Sequence, residues 1–131
     1  MALSSEQRTT LSILGYLYYR MGRIDSAVTV FAALAAQAPE PADAVTLRAL
    51  ATLAAIETER GNGEKALLLL HRVMDGRTLS TRHAALHLLR ARALWQQGRK
   101  DEARAAVNEY LYLAGGSSLA KPPVNGMGKR I

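Results

Sequence analysis

The side chains best suited to chemistry in this 131-residue chain are three histidines, His71, His83 and His87. His83 and His87 stand four residues apart, one helical turn, as a metal-binding pair would. The segment reads H-A-A-L-H, however, without the glutamate of a zinc-hydrolase helix and with no evident third ligand. No metal is expected, and the imidazoles read as surface or interface groups. Cysteine is absent, which removes disulfides and thiolate zinc sites and fits a reducing cytoplasm. No glycine-rich loop joins a strand to a helix, so no phosphate cradle is expected. No Ser/His/Asp set or paired carboxylate has a credible scaffold. The chain reads as a non-enzyme without a cofactor.

A second chemistry is phosphate contact. Arg90, Arg92, Arg99, Lys100 and Arg104 cluster in sequence, and the formal net charge is +6. The excess lies almost wholly after Leu47, the part before it being slightly acidic. Stacking aromatics are sparse in this patch, and Asp101, Glu102 and Glu109 interrupt it. Nucleic acid is the main rival partner class and not the expected one. The plainer reading is a set of solvated, arginine-rich helix faces.

The elements that carry these residues are helices, because Ala and Leu dominate the apolar half of the composition. Ser4 and Gln7 form a capping-box pattern, placing a first helix from near Ser5 to about Met21. Leu11, Leu14, Leu17, Tyr18 and Met21 recur at three- and four-residue steps as one apolar stripe. A second helix runs from near Asp25 to Pro39, which cannot continue it. A third spans about Ala42 to Arg60, ahead of the break Gly61-Asn62-Gly63. The fourth, about Glu64 to Met74, is apolar on nearly every side and reads as sandwiched between neighbours. Asp75-Gly76-Arg77 closes it. A fifth runs from about Ser80, with a Ser80/Thr81 cap, to Gln97, and a sixth from about Lys100 to Ala114. Residues 115–131 form a Gly/Pro/Ser-rich tail, expected to be disordered when free. The N-terminus shows no basic segment followed by an apolar run, so no signal peptide is expected. The longest apolar run, Ala66 to Leu70, is far short of the roughly 20 residues a bilayer requires, so no membrane insertion is expected.

Three turns repeat the pattern G-x-x-x-x-A, at Gly22/Ala27, Gly61/Ala66 and Gly98/Ala103. Around the first, Leu11, Leu14, Gly15, Tyr18, Gly22, Ala27, Phe31 and Pro39 resemble the signature of the tetratricopeptide repeat (TPR), with Leu11 replacing the usual Trp. The second copy keeps Leu50, Leu53, Ala54, Gly61, Ala66 and Leu70. The third keeps Ala91, Leu94, Gly98, Ala103 and Val107 and is weaker. The spacings slightly exceed the 34-residue TPR period, which short insertions would explain. The expected fold is all-α: a TPR-like solenoid of about three helix-turn-helix pairs over residues 1–114, followed by the flexible tail.

The TPR resemblance implies a concave face lined by the first helix of each pair. On that alignment the first pair presents Thr9, Ser12, Tyr16 and Tyr19. The second presents Arg48, Ala51, Ala55 and Thr58, and the third Ala85, Leu88, Arg92 and Trp95. The candidate groove residues are Ser12, Tyr16, Tyr19, Arg48, Ala51, Ala55, Leu88, Arg92 and Trp95. Small residues at mid-groove with aromatics at both ends suit an extended or helical peptide with apolar anchors. The Lys/Asn clamp by which TPR cochaperones hold a C-terminal carboxylate is absent, since Ser12 and Tyr16 occupy those positions.

The compact length and the closing segment Ala103-R-A-A-V-N-E-Tyr110-Leu111-Tyr112-Leu113 resemble the small TPR chaperones of bacterial type III secretion, the YscY (SctY) type most closely. The likeness runs from about Ser5 to Ala114, and the long Gly/Pro tail departs from it. It implies a chaperone in the bacterial cytoplasm that holds a small secreted or export-apparatus protein through an amphipathic helix or extended segment. Two other readings stand beside it, a generic TPR adaptor in another bacterial assembly and a basic helical protein that binds nucleic acid. An exposed apolar face on the first helices would let two copies pair without a client.

Overall fold

The computed structural model describes residues 2–74 and 83–115. These residues form six helices: α1 (Ser5–Arg20), α2 (Ile24–Ala36), α3 (Ala44–Glu59), α4 (Gly63–Met74), α5 (Ala84–Gln96) and α6 (Lys100–Gly115). Asp75-Gly76-Arg77, the Ser80/Thr81 cap and the tail beyond Gly115 lie outside the described residues.

Each boundary has a local cause. The Ser4 hydroxyl accepts from the Gln7 amide at 3.1 Å, and the Gln7 side chain accepts from the Ser4 amide at 2.8 Å. This capping box satisfies two of the helix's unpaired donors. Gly22, Gly61 and Gly98 end the first helix of each pair at φ of +80°, +83° and +75°. L-residues with a Cβ are strained there, which explains the recurring glycine. Asp43 caps α3 by accepting from the Thr46 amide at 2.8 Å.

The closest packing is within the pairs α1/α2, α3/α4 and α5/α6, and each pair then packs on the next through α2/α3 and α4/α5. The first helices also approach in series, α1 with α3 and α3 with α5, whereas the backbones of α2 and α4, and of α4 and α6, do not come close among the described residues. Inner helices that lie closer together than the outer ones define a curved, open array rather than a closed bundle. The core is correspondingly serial. Ala27, Phe31, Leu34, Val45, Ala49 and Leu53 form one cluster, Ala35, Leu50 and Val73 a second, and Ala91, Leu94, Ala103 and Ala106 a third. Gly15 admits the Phe31 ring: a Cβ at Gly15 would lie 2.9 Å from its Cζ.

Arg8 gives the first junction a polar clasp. Its side chain is only 4% exposed, pairs with both Asp43 carboxylate oxygens at 2.9 and 3.1 Å, and donates to Thr46 Oγ1 at 2.7 Å. It also donates to the carbonyls of Leu34 and Gln37 at the end of α2, at 3.2 and 3.1 Å. One guanidinium thereby ties α1 to two later helices and satisfies carbonyls that a helix terminus leaves unpaired.

Two expectations are corrected. The apolar stripe of α1 is divided: Leu11 and Tyr18 pack on the core, while Leu14, Leu17 and Met21 are exposed. Those three positions face a preceding pair in a repeat array, and no described helix covers them. The fourth helix lies between α3 and α5 but is not enclosed, since Leu68 is 65% exposed and Glu64, Lys65, His71 and Arg72 share the solvent side.

Candidate partner-binding groove

Two concave pockets border the inner helices. The first, about 460 Å³, lies between α1 and α3 over the Phe31 ring and is lined by Thr9, Ser12, Ile13, Tyr16, Leu17, Arg48, Ala51 and Thr52. The second, about 590 Å³, is bounded by Leu88, Ala91, Arg92 and Trp95 of α5 and Ala103, Arg104, Val107 and Asn108 of α6. Ser12, Tyr16, Arg48 and Ala51 therefore meet in the first pocket, and Leu88, Arg92 and Trp95 in the second. Tyr19 and Ala55 line neither. Tyr19 is half-buried against the first core cluster, where burial foremost, with the Glu59 charge, raises its phenol pKa.

The alignment did not point to Ile13, Leu17 or Thr52, nor to the four α6 residues. In an array, positions such as Leu17 and Val107 are covered by neighbouring pairs. The signal that could have found them is position in the array: among the described residues the first and last pairs each have one side on which no helix packs.

Both pockets join apolar walls to a cation. The side chains of Arg48 and Arg92 make no hydrogen bond or ion pair among the described residues. Arg20 donates to the Tyr16 hydroxyl at 3.0 Å, and Lys100 stands over the Trp95 ring at 5.2 Å. Trp95, 51% exposed, is thus a surface ring held by a neighbour rather than by the core. A free guanidinium beside an apolar pocket recognises a carboxylate placed next to an apolar side chain.

The rest of the basic cluster is internally compensated. Arg99 pairs with Glu102 through two contacts of 2.8 Å, and Arg104 pairs with Asp101 at 3.0 Å. Those pairs leave fewer cations for a phosphate backbone than the sequence advertises. The histidines are also separated in role. His87 turns toward a pocket it shares with His71, Arg90 and Arg99, where its Nδ1 is buried without a partner. Burial, and secondarily the Arg90 charge, lowers its pKa, while Glu109 acts in the opposite sense. Among the described residues no three His, Cys, Asp or Glu side chains are placed to hold a metal ion. No described helix is long and apolar enough to cross a membrane.

Comparison with known families agrees with this geometry. The tetratricopeptide-repeat family profile matches residues 14–73 and again residues 53–118. The chain belongs to the tetratricopeptide-repeat family. A search of curated proteins finds no significant match. The family and the open groove together define a scaffold for protein–protein interaction.

Proposed function

We propose that this TPR protein is a chaperone that holds a small type III secretion substrate or export component in the bacterial cytoplasm. The observation that carries the binding half of this reading is the pair of apolar pockets, one between α1 and α3 and one between α5 and α6, each with an arginine unpaired among the described residues. They suit an amphipathic segment with apolar anchors and flanking carboxylates, the kind of segment that orders on binding. The secretion half rests on the resemblance of the compact helical array and its Tyr110-Leu111-Tyr112-Leu113 end to the YscY-type chaperones. The site proposed for the client is Ser12, Tyr16, Arg48 and Ala51 at one end and Leu88, Arg92 and Trp95 at the other, with Tyr19 and Ala55 between.

Co-expression with the small secretion proteins encoded beside this chain, followed by co-purification, tests the proposal. A soluble complex with one of them is expected. A chain that stays soluble alone and retains none of them leaves the generic TPR adaptor as the better reading.

A further inference from the structure

The large exposed apolar side chains gather at the two ends of the array. Ile13, Leu14, Tyr16, Leu17 and Met21 are on α1; Leu88, Trp95, Leu111 and Tyr112 are on α5 and α6; among the described residues only Leu68 lies between. The repeat explains the division. Where one pair meets the next, α3 lays Val45, Ala49 and Leu53 against Ala27, Phe31 and Leu34 of α2. Aligning the glycine turns at Gly22, Gly61 and Gly98 makes Leu14 and Leu17 the counterparts of Leu53 and Ile56. Leu53 and Ile56 are buried, whereas Leu14 and Leu17 are exposed. By the same register Ala103 and Val107 of α6 are the counterparts of Ala27 and Phe31, the surface that receives α3 in the first pair. Ala103 and Val107 line the 590 Å³ pocket, which no described helix fills. By the same register the exposed Glu6 and Thr10 are the counterparts of Val45 and Ala49, so the array exposes at one end an α1 face that is apolar over its C-terminal half, and at the other a groove that no described helix fills.

We infer that the groove between α5 and α6 receives α1 of a second copy of this chain, so that copies join head to tail. The contact continues the packing that already joins successive pairs inside one molecule. It is heterologous, using different surfaces on the two partners, and each junction leaves a free α1 face and a free groove at the ends. Assembly is therefore open-ended. Because Leu88, Arg92 and Trp95 border that groove, a client seated there competes with the neighbouring copy. The self-association itself does not depend on the identity of any client.

Sedimentation equilibrium of the full chain over a range of concentrations tests the inference. The average mass of the wild-type protein is expected to climb from the 14.2 kDa of one chain without levelling at two. Leu88→Arg blocks the groove, and the double variant Leu14→Lys/Met21→Lys blocks the α1 face. All three positions are exposed, and circular dichroism checks that both proteins remain folded. Each variant alone is expected to stay monomeric. Mixed in equal amounts they are expected to form a complex of two chains and go no further, since each supplies the face the other lacks. A wild type that is monomeric throughout overturns the inference. So does a dimer that survives Leu88→Arg but not the α1 substitutions, because that pattern belongs to a symmetric α1–α1 contact. Two monomeric variants that fail to complement each other overturn it as well.

Discussion

At the residue scale, Arg8 is the side chain whose importance was least visible. An arginine three residues into an amphipathic helix reads as solvated, and nothing near it in sequence is its partner. Its partners lie 26 to 38 residues away, on two other helices. Asp43→Ala leaves the buried guanidinium without its counter-ion and also removes the α3 cap. A loss of about 3–5 kcal/mol is expected by chemical denaturation, as for other broken buried pairs. Arg8→Met is expected to cost less, because Asp43 keeps Thr46 and some solvent. The same clasp governs acid stability. The Arg8 hydrogen bonds foremost, with those from Thr46, hold the Asp43 carboxyl well below the usual carboxylate range. Its contribution is thus complete above the unfolded value of about 3.8 and is lost as pH falls toward the lower folded value. Wild type and Arg8→Met should therefore converge in stability below pH 3.8.

His87 acts at a higher pH by the same logic. Its folded pKa lies below 6.5, so the unfolded chain takes up a proton first. Stability is expected to fall as pH drops from 6.5 through the folded value, with His87→Gln removing that slope in urea titrations at several pH values.

At the scale of elements, two kinds of glycine need separate tests. Gly15 sits where a Cβ would meet the Phe31 ring at 2.9 and 3.0 Å and Val30 at 3.1 Å. Gly15→Ala is expected to cost about 1–3 kcal/mol through overpacking. A double-mutant cycle with Phe31→Leu should recover part of that loss. Gly22 has open space around it, and its φ of +80° is the constraint. There Gly22→Ala should cost about 1–2 kcal/mol whatever its neighbours, and Asn should be tolerated better than Ala. Both glycines were legible in the sequence, as the small residue and the turn of one signature. Gly63 was read as part of a break, yet it is the first residue of α4. A Cβ on it would lie 2.8 Å from the Ala93 carbonyl of α5, a contact between pairs that spacing does not reveal. The six helices were legible because glycine and proline punctuate a clear 3.6-residue period. The exposed face of α4 was not, since four successive leucines conceal which of them faces water.

At the scale of the molecule, the fold followed from a repeated turn, while the pockets depend on which faces no described helix covers. Ser12, Tyr16 and Arg48 could be placed together by alignment, because one register governs every inner helix. Val107 and Asn108 could not, because they become pocket walls only where no described helix packs on α6. The groove is open to direct measurement through Trp95, the chain's single tryptophan. Its emission is expected to shift to shorter wavelength when a client covers the second pocket. Tyr16→Ala and Trp95→Ala should each weaken client binding by about 1–2 kcal/mol or more with little change in stability, measured by calorimetry. Loss of binding in neither would remove the groove from the function.

The junctions of the array are not equally fastened. Three donations from Arg8, two to Asp43 and one to Thr46, together with an exposed Arg60–Asp25 pair at 3.2 Å, bind the first pair to the second. Between the second and third, the described residues place a hydrogen bond from Gln96 Nε2 to the Thr58 carbonyl at 2.9 Å and no ion pair of the Arg8 kind. In an array where each unit leans only on its neighbours, such unevenness gives unfolding a direction. Amide hydrogens of α5 and α6 should exchange sooner than those of α2 and α3. Under tension applied to the two termini, the chain should release its last pair as a separate first step while the clasped half holds.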